Sequence, residues 1–150
     1  MASVRPALLS DALAIAKNIR QADAMELSLY DFAPIDALKL GFYQSLQPLT
    51  VLTSSGSPCA MFGVALTPRA DIGSIWLLGT SELFKIRVPF LRQSAMWLEH
   101  ISRPFSETGN WVDSRNKQHI RWLTWLGFTT SSTITVKDTP VHYFQRRKST

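Results

Sequence analysis

The run Asn-Lys-Gln-His-Ile-Arg-Trp-Leu-Thr-Trp-Leu-Gly-Phe over 116–128 constrains the fold of this chain more than any other stretch. Asn116 can cap a helix by accepting a hydrogen bond from an unpaired N–H of the first turn, and Gly127 can take the left-handed conformation that ends it. Phe128 then opens a β-rich segment. A strand exit, a short capped helix and re-entry into a strand are therefore expected here.

Elsewhere the periodicity alternates between the two classes of element. Residues 4–7 read as a strand, followed by Ser10 or Asp11 as a helix cap and by Leu13, Ile15, Ala16 and Ile19 at helical spacing. A loop is expected over 21–32. A second helix follows over 35–46, with Pro34 in its opening turn and Leu38, Phe42 and Leu46 on one face. Runs at 49–53 and 58–66 flank Ser54-Ser55-Gly56-Ser57 as a hairpin, and 72–79 makes the next strand. Leu91, Ala95, Leu98 and Ile101 mark a central helix over 88–101, with Pro89 tolerable only near its start. Residues 111–112 form a short strand, and 128–136 and 141–146 close the chain. Such an order predicts an α+β fold, a twisted, mostly antiparallel sheet with helices on both faces. With 150 residues and 45% hydrophobic content, one domain over 1–150 is expected.

The lone Cys59 cannot form an internal disulfide, and beside Ala60, Met61 and Phe62 it reads as a core residue rather than a nucleophile. His100, His119 and His142 lack metal-ligand spacing, so no metal is expected. The first residues lack a signal-peptide pattern and no apolar run reaches membrane-spanning length, so a soluble protein with no membrane association is expected. The net charge of +5 favours acidic partners in general, and Arg146, Arg147 and Lys148 are the one basic cluster that offers a weak nucleic-acid contact. Trp122 and Trp125 lie three apart on one side of the capped helix, with Ile120, Leu123 and Gly127 on another, so the tryptophans are expected to form a protein interface.

The 116–128 run resembles the end of the core of the Gcn5-related N-acetyltransferase (GNAT) fold, whose pattern is Asn, two variable residues, Ala, Ile, Arg, an apolar residue, Tyr, two variable residues, Leu-Gly-Phe. Asn116, Ile120, Arg121, Leu126, Gly127 and Phe128 match it. Leu123 stands where the pattern has the tyrosine that protonates the departing thiolate, and His119 replaces a small alanine, with bulk that would obstruct a cofactor groove. The stretch 79–90, which corresponds to the pyrophosphate turn, has no Gly-x-Gly or Gly-x-Ala, and Pro89 deletes a donor. The strand before it carries no carboxylate.

Several ordered blocks extend the likeness across nearly the full chain, among them 19–26, 60–64, 76–80, 90–94 and 112–116. Together they resemble the acetyltransferase-like internal virion protein A family of short-tailed bacteriophages. That resemblance implies a non-enzymatic morphogenesis protein with no cofactor, present in the host cytoplasm during assembly or in the virion, with internal-core or portal-associated proteins as partners. The alternative is a divergent acetyl-CoA-dependent N-acyltransferase. Its candidate catalytic carboxylates are Glu82, Asp113, Asp23 and Glu26, and its candidate cofactor-binding residues are Lys85, Arg87, Arg92 and Asn116.

Overall fold

The computed structural model describes residues 3–148, leaving aside the side chains at 84, 86–89 and 91. The elements run β1 (Ser3–Pro6), α1 (Leu9–Lys17), α2 (Gln21–Ser28), α3 (Pro34–Gln44), β2 (Leu49–Leu52), β3 (Pro58–Leu66) and β4 (Ile72–Gly79). A 3₁₀ turn (Ser81–Ile86) then leads into α4 (Arg87–Ser102), β5 (Glu107–Asp113), α5 (Lys117–Trp125), β6 (Thr129–Val136) and β7 (Thr139–Arg147). The strands form one sheet in the order β1-β2-β3-β4-β5-β7-β6, antiparallel at every step except β4–β5. The expected α+β architecture is present.

Alternation along β3 and β4 builds the two cores. Phe62, Ile75 and Leu77 point to the face covered by α4 and α5, where they meet Leu98, Trp122 and Leu123. Met61, Trp76 and Leu78 point to the opposite face and pack with Ala12 and Ile15 of α1 and Leu38 of α3. Helices therefore cover both faces.

Three local expectations change. The segment expected as a loop over 21–32 begins with a two-turn helix, α2, whose polar Gln-Ala-Asp-Ala-Met-Glu sequence hides its apolar periodicity because its buried residue is Asp23. Asp11 is not the cap itself: α1 starts at Leu9, and Asp11 reaches back to accept the Leu8 N–H at 2.8 Å while binding Arg5 and Thr50. Burial disfavours the Asp11 charge, but the Arg5 guanidinium and these hydrogen bonds outweigh it and hold the carboxyl below its usual range.

The third change concerns α5. Asn116 stands at its N-cap position, yet its side chain makes no capping bond. At the other end Gly127 has φ +92°, and the Phe128 N–H bonds the Leu123 carbonyl at 3.0 Å, so the glycine stop is as expected. The expected tryptophan pair is split. Trp122 is only 4% exposed, stacked on Phe90 and donating to Ser94 Oγ at 3.2 Å, because it and Leu123 share the broad apolar side of α5. Trp125 alone reaches the surface, at 51% exposure.

Trp122→Ala should cost roughly 3–5 kcal/mol of stability as a core truncation, and Trp125→Ala should stay within about 0.5 kcal/mol. Gly127→Val, with open space at the Cβ position, should cost about 1 kcal/mol through backbone strain alone. Denaturant unfolding of the three variants checks all of these values.

Candidate functional site

β4 and β5 are paired only from Ile72↔Glu107 to Ser74↔Gly109, after which they separate. At the split, the Asn110 Nδ2 takes the place of a ladder donor and binds the Ile75 carbonyl at 2.8 Å. Backbone groups alternate sides along a strand, so the N–H and C=O of Leu77 lie on the same edge as those of Ile75 and Gly79, facing the fork with no strand opposite.

A buried polar cluster ties the far ends of this fork together. Asp23 accepts the Gly79 N–H of β4 at 3.0 Å and the Asn116 Nδ2, beyond β5, at 3.0 Å. Arg20 pairs with Asp23 at 2.8 Å and also donates to Asn116 Oδ1 at 2.6 Å and to Gln118 Oε1 at 3.0 Å. Glu26, one turn along α2 from Asp23, accepts the Asp113 N–H at 3.0 Å and the Asn116 Nδ2 at 3.3 Å. The Asn116 amide thus serves this cluster and leaves the first turn of α5 without its side chain.

The charges in the cluster are unequal. Burial raises Asp23 above the usual carboxylate range, although the Arg20 charge and the hydrogen bonds from Asn116 and Gly79 pull against it. Glu26 has no ion pair among the described residues. Burial, reinforced by the neighbouring Asp23 and Asp113 carboxylates, outweighs its hydrogen bonds and pushes its pKa up to about 7. At neutral pH such a group takes or gives a proton readily.

Glu26 lines a cavity of about 330 Å³ between α2, α3 and the fork. Trp76, Trp111, Tyr30 and Phe32 contribute aromatic walls, and Leu77 and Leu78 carry it to the open edge of β4. Gly41 of α3 lets the Trp76 ring approach so closely that a Cβ there would sit 2.6 Å from it, while the indole N–H donates to Ser45 Oγ at 2.8 Å. His119 also lines the cavity. It is 6% exposed, and its Nε2 has no hydrogen-bond partner. Burial, with the Arg20 charge adding to it, lowers its pKa to about 3, so the imidazole is neutral. It forms part of the wall beside an open space, with Trp122 centred 5.7 Å away.

Of the expected catalytic carboxylates, Asp23 and Glu26 come together at the fork, Asp113 lies beside them with its carboxylate taken by Arg115, and Glu82 lies elsewhere. Glu82 is exposed and paired with Lys85 at 2.9 Å. Asp113 is bound by Arg115 at 2.7 Å; burial opposes its charge, but that guanidinium wins and keeps the carboxyl below its ordinary range. Among the candidate cofactor contacts, Lys85 and Arg92 are exposed beside the 3₁₀ turn and α4, and Asn116 belongs to the polar cluster. The side chain of Arg87 lies outside the described residues. Arg146 pairs with Glu99, Arg147 with Glu107, and Lys148 donates to the Arg103 carbonyl, so the basic cluster closes the end of β7. Burial raises the Cys59 thiol to about 11, which fits its core role. No group of metal-ligating side chains occurs among the described residues, and no described helix is long and apolar enough to cross a membrane.

Tyr30, Trp76, Trp111 and the orphaned His119 Nε2 were missing from the sequence-based candidates. The shared parity of Trp76 and Leu78 on β4 was the available signal for one wall. His119 was visible as a mismatch but read as an obstruction.

No protein-family model matches the chain and no curated protein matches it in sequence. Solved structures do match. The aminoglycoside acetyltransferase AAC(6')-Ib in complex with coenzyme A aligns at a TM-score of 0.68 and 12% identity, over 99% of this chain and 95% of that one. Ard1 from Thermoplasma volcanium aligns at 0.68 and 12% over 97% of each chain. A GNAT-family acetyltransferase from Bacillus anthracis aligns at 0.69 and 10%, over 97% of this chain and 94% of that one. The fold is that of the GNAT acetyltransferases. The expected virion-assembly role is overturned by these neighbours, which are acetyltransferases; the shared scaffold explains the likeness in the 116–128 run. The expectation that no cofactor is involved is overturned by the same set, since AAC(6')-Ib was solved with coenzyme A on this fold.

Glu26 makes the fold sensitive to pH. Its carboxyl rises from 4.5 to about 7 on folding, so the stability it contributes is fully present below pH 4.5 and is lost as pH climbs through 7. Glu26→Gln should keep the acceptor oxygen, remove this decline, and be more stable than the parent at pH 8 by roughly 2–3 kcal/mol. Urea unfolding of both proteins at pH 5 and pH 8 measures it.

Proposed function

We propose that this chain is a divergent acetyl-CoA-dependent N-acyltransferase. The observation that carries the reading is Glu26, a carboxyl held near neutrality on the wall of a cavity that opens into the β4–β5 fork. Acetyl-CoA, when bound, supplies an activated thioester whose carbonyl an amine attacks, forming a C–N bond as the C–S bond breaks.

The residues present fit such a cofactor at the fork. The unpaired N–H and C=O of Leu77 offer the edge of β4 to an amide-bearing arm, as a strand would use it. Lys85 and Arg92 are the described cations beside the α4 entrance, and they replace a glycine turn with side-chain charge. Asn116 holds the fork rather than the cofactor.

Glu26 takes the proton that an ammonium must lose before its nitrogen can attack. Leu123 is fully buried and has no proton to give, so the tyrosine position of the acetyltransferase pattern is silent here. Tyr30 holds a proton at Oη on the cavity wall. Burial, then the charges of Glu26 and Asp113, raise its pKa above the ordinary value and keep it a donor at neutral pH.

Calorimetric titration with acetyl-CoA, followed by thiol release with a panel of amines, tests the reading. Saturable binding is expected, with a rate that rises with pH through about 7 as Glu26 ionises. Glu26→Gln should lower the rate by roughly 10²-fold or more while leaving acetyl-CoA affinity within about threefold. Absence of binding, or an undiminished rate in Glu26→Gln, would count against it.

A further inference from the structure

The cavity is specific in what it lacks as well as in what it holds. Glu26 is its one acidic side chain, and no lysine or arginine lines it among the described residues. A ligand carboxylate or phosphate entering it would lose water and find no cation. A polycation would pair one ammonium with Glu26 and find no second anion among the lining residues. A ligand with a single positive charge avoids both costs.

The rest of the wall describes the body that carries that charge. Trp76 is fixed from two sides, by Gly41 beneath its ring and by Ser45 at its N–H. Trp111 is braced edge-on by Tyr143, at 5.2 Å between ring centres. Rigid aromatic walls at this volume suit a small apolar body, and their faces also attract a cation near its edge.

Resting on the acyltransferase reading, we propose that the acceptor is a monoamine with an uncharged aromatic or similarly apolar body. Its ammonium sits against Glu26, and its body packs on Trp76 and Trp111. Amino acids and polyamines are excluded by charge.

Binding of 2-phenylethylamine, L-phenylalanine and spermidine to the full chain, each with and without coenzyme A, tests this by calorimetry and tryptophan emission. Saturable binding of 2-phenylethylamine is expected, at least about tenfold tighter than that of either other amine. Glu26→Gln should weaken it by about tenfold, with circular dichroism confirming that the variant is folded. Equal or tighter binding of phenylalanine or spermidine overturns the proposal, as does failure of 2-phenylethylamine to bind in either condition. Coenzyme A binding without the amine would leave the acyltransferase reading standing and remove the acceptor class. Amine binding without coenzyme A binding would support the ligand class and remove the transferase.

Discussion

One carboxylate, Asp23, sets the geometry of the fork. Separated strands leave backbone groups without ladder partners, and a fork in the middle of a sheet would place those groups in the interior. Asp23 answers this by taking the Gly79 N–H on one side and, through Asn116, fastening the start of α5 on the other. Arg20 neutralises it from within the same cluster, and its own N–H bonds the Gly79 carbonyl at 2.9 Å. Without this tie the far ends of β4 and β5, beyond their pairing at 72–74, would lose their buried polar link.

The same tie divides the two carboxylates into different roles. Asp23 receives the nearby guanidinium, so Glu26 one turn later is left with hydrogen bonds but no cation, beside two other acidic groups. A scaffold that needs one buried charge for structure has thereby placed a second carboxyl where it is reluctant to ionise. That reluctance is costly for folding above neutral pH and useful for proton transfer near it. The cost and the chemistry come from the same burial.

Much of the architecture was legible because it depends on short-range rules. Gly127 announced the end of α5, the order of strands and helices announced two covered faces, and Pro34 announced the start of α3. The site was less legible because it depends on long-range partners. Asn116 looked like a helix cap, but Arg20, far earlier in the chain, claims its carbonyl oxygen. Trp122 looked like half of a surface pair, since helical spacing alone does not say how wide the buried side of α5 is. Asp23 and Glu26 were identified as carboxylates worth testing, yet the helix that positions them was read as a loop, because a helix that buries a charged residue carries no apolar stripe. Leu123 and the missing glycine turn suggested a scaffold emptied of chemistry. The fork holds instead a carboxyl raised to about 7, a tyrosine on the same cavity wall and an open strand edge, elsewhere on the same frame.

The most direct check is a carbon-detected NMR titration of the Glu26 side-chain carboxyl in the folded protein, assigned by comparison with Glu26→Gln. The structure predicts a midpoint near 7, with the Asp113 carboxyl titrating well below it. A midpoint at the ordinary 4.5 of a solvated glutamate would contradict the account, because Glu26 would then be neither desolvated nor poised to move a proton at neutral pH.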